Sequence, residues 1–311
     1  MTGQTSEKLA EPTSEQVQRP LGSKLGYQAF YVMIRSGGRR AAYALLYFVV
    51  AFYILFRPQV RRSCRPYLKR RFVEAGEDGL WWHSYRMVLD FGKVLVDRAV
   101  VGMLGPDRLK VALHGREQLL EIRNRRQGMI LMMSHVGCWQ VAMSALNFLE
   151  EPVHMVMHQD DGSLERHYYE YAEQECPYRT IDPRGFLGGT LEMMGVLKQG
   201  MILAVMGDRL PPHERNVVTV EFLGEAVALP FSSFQLASAT GAPIVVMMTR
   251  KSAGDRYEME LIDEIRVPQG LGRKAEAYRP YVQQYADALA GYCRENPYQF
   301  YNFFDMWDDC K

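Results

Sequence analysis

The sequence lacks the features that would place it in several common protein classes. It has only five cysteines in 311 residues, with neither close pairing nor zinc-site spacing, which argues against a disulfide framework and favours a reducing compartment. Lys and Arg number 37 and Asp and Glu 36, so global charge indicates no nucleic-acid partner. The cysteines are Cys64, Cys138, Cys176, Cys293 and Cys310.

Long apolar runs are also scarce. The one uncharged apolar run, residues 41–56, is shorter than the ~20 residues of a comfortable membrane span. Arg39 and Arg40 precede it, and a dense basic segment follows it. Because basic residues beside anionic headgroups contribute about 1 kcal/mol each, we expect residues 23–72 to form a membrane-associated helical segment, as a short span or an embedded helix. The alternative is a buried core helix followed by a solvated basic segment.

The amino-terminal residues 1–22 are polar and contain Pro, Ser, Thr and Glu. They have too few apolar side chains to offset the entropy of ordering, so we expect a flexible tail. No apolar region there is followed by a small-residue cleavage site, so we also expect no cleaved signal peptide.

The remaining residues, 73–311, are predicted to form one large domain. After a packing helix at 79–101, short apolar strands alternate with helical segments. This alternation predicts an α/β fold with a mixed, largely parallel sheet covered by helices. Strands are predicted at 111–113, 128–134, 153–157, 178–181, 201–206, 217–222, 243–248 and 257–262, and helices at 117–126, 140–150, 164–175, 189–198, 231–240 and 276–295.

His135 is the first candidate for chemistry. It follows an apolar run and should emerge at the carboxyl end of a buried strand, where open α/β sheets build their sites. A positioned imidazole can take a proton from a hydroxyl or an amine near neutral pH. Gly137 would let another chain segment or a ligand approach closely. The alternative is an ordinary core or surface histidine.

Other polar residues follow later predicted strands. Asp208 and Arg209 come directly after strand 201–206, so they would border the same crevice as His135 if the sheet is parallel. An ion pair or a turn is the alternative. Arg250, which follows another strand, is a candidate anion clamp. His154 and His158 lack a supporting carboxylate geometry, so we predict neither a metal site nor a cofactor.

Five motifs occur along the chain in one order. They are Ser134-His135-x-Gly-x-Trp139, Gly207-Asp208-Arg209, Phe222-Leu223-Gly224 followed by Leu229-Pro230, Thr240-Gly241-Ala242-Pro243, and the segment from Asn296 to Trp307. Together they resemble the bacterial lipid A biosynthesis acyltransferase family, within the wider lysophospholipid acyltransferase superfamily. The resemblance covers the chain from about residue 23. It implies an α/β acyltransferase domain over residues 73–311, located on the cytoplasmic face of the inner membrane.

The resemblance also implies a reaction and its partners. The donor would be an acyl thioester on an acyl-carrier protein or coenzyme A, and the acceptor a membrane lipid or glycolipid. Arg123, Arg125 and Arg126 form a candidate landing patch for an acidic carrier protein, although a solvated helix end would have the same composition.

The chain departs from the family's pattern at Gln140. The family signature is a histidine followed five residues later by a carboxylate, and Gln140 occupies that position here. A glutamine amide can still orient His135, but it brings no negative charge to stabilise the imidazolium. The departure predicts weaker base catalysis, an amine acceptor, or a carboxylate supplied from elsewhere, for which Asp208 is the nearest candidate by motif position.

The leading prediction assigns a role to each candidate residue. His135 is the general base, Gln140 orients it, and Asp208 and Arg209 position the acceptor's phosphate or sugar. Backbone N–H groups near Gly137 would stabilise the oxyanion. One alternative is the transfer of an aminoacyl or other non-fatty acyl group from a carrier protein to a glycolipid. Another is a catalytically silent relative that binds lipid or a partner at the membrane.

Overall fold

The structure is a computed structural model that describes residues 24–149, 151–157, 178–183, 185, 189–211 and 214–308. The helices are α1 (Lys24–Phe56), α2 (Pro58–Arg71), α3 (Glu77–Leu104), α4 (Arg116–Asn124), α5 (Trp139–Ala142), α6 (Thr190–Lys198), α7 (Ser232–Thr240) and α8 (Ala275–Glu295). The strands are β1 (Lys110–His114), β2 (Met129–Met133), β3 (Val153–Val156), β4 (Tyr178–Ile181), β5 (Ile202–Met206), β6 (Val217–Phe222), β7 (Glu225–Pro230), β8 (Ile244–Ala253) and β9 (Arg256–Ile265).

Seven strands form one sheet in the order β1-β9-β8-β2-β5-β3-β4. The central strand β2 is parallel to β5 on one side and to β8 on the other, and β3 and β4 continue the parallel arrangement. β9 runs antiparallel to β8, and β1 is parallel to β9. Every residue of β2 is buried, as expected for a strand covered on both faces. The predicted mixed, largely parallel α/β fold is therefore confirmed.

Strands β8 and β9 are longer than the sequence predicts. The predicted strands stop at residues 248 and 262, whereas each observed strand has ten residues. In the extension of β8, Arg250 faces the opposite charge of Glu258 on β9. Cross-strand charge pairs stabilise a sheet, so a polar stretch continues the strand here.

Strand β7 is absent from the sequence prediction. It pairs antiparallel with β6 in a separate two-stranded sheet, and Leu223 and Gly224 at the turn both have positive φ angles. Its sequence contains two alanines and ends in proline, which are poor strand residues. Tertiary packing decides the conformation, because Val227 and Leu229 are fully buried in the main hydrophobic core.

The helix predicted at residues 140–150 is also different. Only Trp139–Ala142 is α-helical, and Met143–Leu149 continues as a 3-10 helix. The helix predicted at residues 164–175 and the tail predicted at 1–22 lie outside the described residues.

Helix α1 has a kink where the sequence places Gly37-Gly38. Gly38 adopts φ 67° and ψ −172°, a conformation that favours glycine. Beyond the kink, one face of α1 packs along α3 and α2 through a buried stripe spaced four residues apart. The stripe is Ala42, Leu46, Val50 and Ile54. Among the described residues, one helical stretch, Val32–Phe56, is long enough and apolar enough to cross a membrane.

A buried carboxylate joins the amino-terminal helices to the sheet. The hydroxyls of Tyr43 and Tyr257 each donate to Asp97 at 2.6 Å, and the Lys251 ammonium also contacts it. Arg39 Nη1 lies 3.8 Å away. We call these five residues the Asp97 centre. It ties α1 to α3, β8 and β9.

Candidate active site

His135 and Asp208 meet at the carboxyl edge of the sheet. His135 follows β2 and Asp208 follows β5, and these strands are parallel neighbours. The imidazole Nδ1 lies 3.0 Å from each carboxylate oxygen of Asp208, and the His135 backbone N–H donates to Oδ2 at 3.2 Å. Asp208 is buried, whereas the His135 side chain is 27% exposed.

The electrostatics keep Asp208 ionised. Burial raises its pKa, but the charge of His135, its hydrogen bonds and the charge of Arg209 together lower the pKa below the ordinary value. A neutral imidazole that donates Nδ1–H to this carboxylate carries its lone pair on Nε2. Among the described residues, Nε2 makes no hydrogen bond. The pair is therefore arranged to accept a proton at Nε2 and to stabilise the resulting imidazolium.

The segment near residue 300 holds the loop that carries His135. The Tyr301 N–H donates to the His135 carbonyl and the Gly137 N–H donates to the Gln299 carbonyl, each at 2.8 Å. These bonds form an antiparallel bridge between Val136 and Phe300. The sequence contributed this segment to the family resemblance, but no role in positioning His135 was predicted for it.

Residue 137 must be glycine, because the backbone of a neighbouring strand leaves no room for a side chain. Its φ is +60°, and an added Cβ would lie 2.1 Å from the carbonyl oxygen of Thr249 on β8. The predicted close approach is therefore made by a neighbouring strand. Since the Gly137 N–H is already donated to Gln299, an oxyanion would need other donors.

Tyr285 supports both strand ends, and sequence reasoning missed it. Its hydroxyl lies 2.8 Å from Ser134 Oγ and donates to the Met133 carbonyl at 3.2 Å. An added Cβ on Gly207 would lie 2.9 Å from the same hydroxyl. A tyrosine on the buried face of α8 was the available signal, because a buried tyrosine hydroxyl needs a polar partner.

Arg209 lies beside the His135–Asp208 pair. Its Nη2 donates to the Tyr301 carbonyl at 3.1 Å, and its guanidinium carbon lies 5.5 Å from the centre of the Phe304 ring. Burial lowers the pKa of Arg209, and the charge of Asp208 opposes that shift. The buried Nε has no hydrogen-bond partner within the described part of the chain. We therefore keep Arg209 as a candidate contact for a polar or anionic ligand.

Gln140 is half-buried on α5, and its Oε1 lies 3.6 Å from Cys138 Sγ. Both oxygens within hydrogen-bond distance of the imidazole Nδ1 belong to Asp208. An orienting role for Gln140 stays a prediction.

Arg250 points to a second group of charges. Its guanidinium contacts Glu258 and lies 3.2 Å from Glu260, so an anion bound there would compete with two carboxylates. His114 and these glutamates also bring three potential metal-ligand atoms within 4.8 Å of one another. Because the Arg250 cation already contacts both carboxylates, we interpret the group as an ion-pair cluster.

A known protein family matches most of the chain. The model of one protein family, bacterial lipid A biosynthesis acyltransferase, matches residues 83–307. The match includes His135, Asp208 and the segment that holds the histidine loop. No curated protein matches the chain.

Proposed function

Because the chain belongs to the bacterial lipid A biosynthesis acyltransferase family, we propose that it transfers an acyl group from a thioester donor to a hydroxyl or amine of a lipid or glycolipid. The observation that carries the proposal is the partly exposed imidazole of His135 with a buried carboxylate at Nδ1. This arrangement is that of a general base with an orienting group.

The proposed reaction begins at His135 Nε2. This atom removes the proton from the acceptor hydroxyl or amine as the acceptor oxygen or nitrogen attacks the thioester carbonyl. The tetrahedral intermediate then collapses, the carbon–sulfur bond breaks, and the imidazolium returns the proton to the leaving thiolate. Asp208 stabilises the imidazolium between these two steps.

The geometry shifts the roles proposed for three residues. Both oxygens of Asp208 face His135, so we propose that Asp208 orients the imidazole rather than the acceptor. Arg209, whose Nε has no hydrogen-bond partner among the described residues, would hold the acceptor's phosphate or sugar. Gln140 then has no need to supply the orienting group.

The acyl donor is proposed as an acyl-carrier protein or acyl-CoA. Arg123 and Arg126 form ion pairs with Glu151, and Arg125 pairs with Glu264. Acidic neighbours therefore offset much of the positive charge of the candidate landing patch. The patch does not favour a carrier protein over coenzyme A, so both donors belong in the assay.

The proposed location is the cytoplasmic face of the inner membrane. The family and the apolar helix support membrane association. Cys64, Cys138 and Cys293 are buried and unpaired, which is typical of a reducing compartment.

The two alternative functions have less support in the geometry. Aminoacyl transfer was motivated by the missing carboxylate at residue 140, and Asp208 supplies a carboxylate to the imidazole. A partly exposed histidine paired with an ionised aspartate favours catalysis over a silent binding role. No specific observation favours either alternative function.

The test is an acyl-transfer assay with purified protein in lipid. Acyl-carrier protein and coenzyme A thioesters are each incubated with candidate lipid acceptors, and acylated products are measured by mass spectrometry. We expect His135→Ala to lower product formation by about 1,000-fold, within the usual range for a general base. His114→Ala is the matched control, because its side chain is 59% exposed and lies outside the pair. Equal product from the wild type and His135→Ala would refute the proposal.

A further inference from the structure

Beyond the kink, helix α1 has two apolar faces, and only one of them is covered. The buried stripe packs on α3 and α2, while a second stripe points away from the protein. The exposed fractions of Phe48, Phe52 and Phe56 are 76%, 52% and 67%. Large side chains exposed in a row on one helix face indicate a contact with an apolar phase.

The covered face prevents α1 from crossing a bilayer by itself. Leu46 packs into the space above Gly92 on α3, and Tyr43 reaches the fully buried Asp97. A spanning α1 would either break these contacts or carry the charges of α3 into hydrocarbon, which is costly. Those charges are Asp90, Lys93, Asp97 and Arg98.

The helix Val32–Phe56 is long enough for a span, but the kink at Gly38 divides it and leaves a shorter straight part. Residues 39–56, which follow the kink, rise about 27 Å at 1.5 Å per residue, whereas the hydrocarbon core is about 30 Å thick. An apolar helix that is fixed to a folded domain along its length is suited to lie in the plane of one leaflet.

Aromatic residues of α3 extend the exposed apolar surface. Trp81 and Trp82 are 38% and 50% exposed, and each stacks on Tyr85, with ring centres 6.4 and 5.6 Å apart. Tyr85 packs in turn against the buried stripe of α1. Tryptophan and tyrosine are the residues that prefer the headgroup depth of a membrane.

Positive charges of α2 border these aromatic residues. A cavity of about 390 Å³ between α2 and α3 is lined by Trp81, by Arg61, Arg62 and Arg65, and by Glu77 and Asp78, and Glu77 pairs with Arg65. In the part of the chain that the structure describes, Arg57, Arg62 and Lys69 are exposed and make no ion pair. This unpaired charge complements anionic lipid headgroups.

We propose that the protein lies on one leaflet of an anionic phospholipid bilayer, with α1 in the membrane plane and not across it. The contact surface, which we call the bilayer face, consists of Phe48, Phe52, Phe56, Trp81 and Trp82 with Arg57, Arg62 and Lys69. The inference deepens the proposed membrane location and does not depend on the proposed reaction.

The first experiment measures sedimentation of the full chain with vesicles of phosphatidylcholine, with or without phosphatidylglycerol. Phe48→Ser with Phe52→Ser should weaken binding at least about tenfold, because each side chain loses apolar burial. Arg62→Ala with Lys69→Ala should weaken binding only to the vesicles that contain phosphatidylglycerol. Leu191→Ser is the matched control, since Leu191 is 58% exposed but lies on α6, and it should bind like the wild type. Equal binding by the phenylalanine variant would overturn the bilayer face.

The second experiment distinguishes an in-plane helix from a span. Ser36→Cys and Gln59→Cys place thiols on either side of residues 39–56, the part of α1 beyond the kink, and both positions are exposed and polar. In a background with Cys176→Ser and Cys310→Ser, the remaining native thiols are buried. A membrane-impermeant maleimide added outside intact vesicles should label both positions equally.

Two results would overturn the inference in different ways. Labelling of only one position until detergent opens the vesicles would show a spanning helix, and the proposed membrane location would remain. Failure of the wild type to bind either kind of vesicle would refute the bilayer face and the membrane location together. Acyl-transfer activity is measured separately, so neither result bears on the proposed reaction.

Discussion

Two buried aspartates in this molecule make different kinds of contact. Asp97 is fully buried and Asp208 is 2% exposed, and both lie among cationic or hydrogen-bonding side chains. Asp97 is surrounded by two tyrosine hydroxyls and a lysine ammonium. Asp208 instead faces one residue, His135, whose side chain remains 27% exposed.

The difference lies in which polar atoms remain available. In the Asp97 centre every contact joins one part of the fold to another, and burial raises the pKa of both Tyr43 and Tyr257, helped by Asp97. Neither hydroxyl ionises near neutral pH, so this network is fixed. At Asp208 the contact ends on an imidazole whose Nε2 makes no hydrogen bond to any residue that the structure describes. A closed buried network stabilises structure, whereas one with an open end can exchange a proton with a ligand.

The largest expected effect is on stability. Asp97→Asn should lower the free energy of unfolding by about 3 kcal/mol, because it leaves the Lys251 ammonium without a counter-charge in a buried place. Chemical denaturation measures the change. The rate per folded molecule should stay near that of the wild type. Asp107→Asn, at an exposed position, is the matched control. Equal unfolding free energies of the two variants would refute the structural role of Asp97.

The next effect is on catalysis. Asp208→Asn should lower the acyl-transfer rate constant kcat by about 100-fold, since the imidazolium loses its stabilising charge. KM should change much less. Steady-state kinetics measures both constants. If Asp97→Asn reduced kcat to the same extent, the division between a structural and a catalytic carboxylate would fail.

A smaller effect concerns acid stability. The pKa of Asp208 is lowered in the folded protein, so its contribution to stability is fully present above the unfolded pKa of about 3.9 and is lost as the pH falls through the lower folded value. The difference in unfolding free energy between the wild type and Asp208→Asn should therefore shrink below about pH 4. Denaturation curves between about pH 3 and pH 6 test this. A constant difference would show that the His135 contact does not lower the pKa of Asp208.

The smallest effect is expected at Gln140, where the sequence resemblance leads us to expect a carboxylate. Gln140→Glu should change kcat by less than about threefold, because Asp208 already occupies the imidazole Nδ1. The assay uses a hydroxyl acceptor. A rise of tenfold or more would mean that Gln140 is a weakened orienting group and that Asp208 serves another purpose.

The sequence predicted the location of the site better than its internal contacts. Buried runs before His135 and Asp208 were enough to place both residues at strand ends, because strand burial and alternation are local signals. The partner of the imidazole was harder to choose. Gln140 is five residues from His135, whereas Asp208 is 73 residues away, and only the pairing of β2 with β5 brings it close.

Other residues that support the candidate site were hard to predict, because the sequence around them carries only weak local signals. Tyr285 acts through a hydroxyl that reaches two strand ends from a distant helix, and the periodicity of α8 shows only that this face is buried. Strand β7, which follows the turn after Phe222, was not predicted, because its alanines and terminal proline do not favour a strand. In each case long-range packing decides the outcome.

Two backbone hydrogen bonds join Gln299 and Tyr301 to the loop that carries His135 and Gly137. They can form only after residues 299–301 have been synthesised. Ribosomes make this segment long after His135, and domains begin to fold while the chain is still growing. A nascent chain can pair β2 with β5 and bring His135 to Asp208, yet the loop stays without its two backbone bonds until Tyr301 has left the ribosome. Assembly of the complete site thus waits until residues 299–301 have been synthesised.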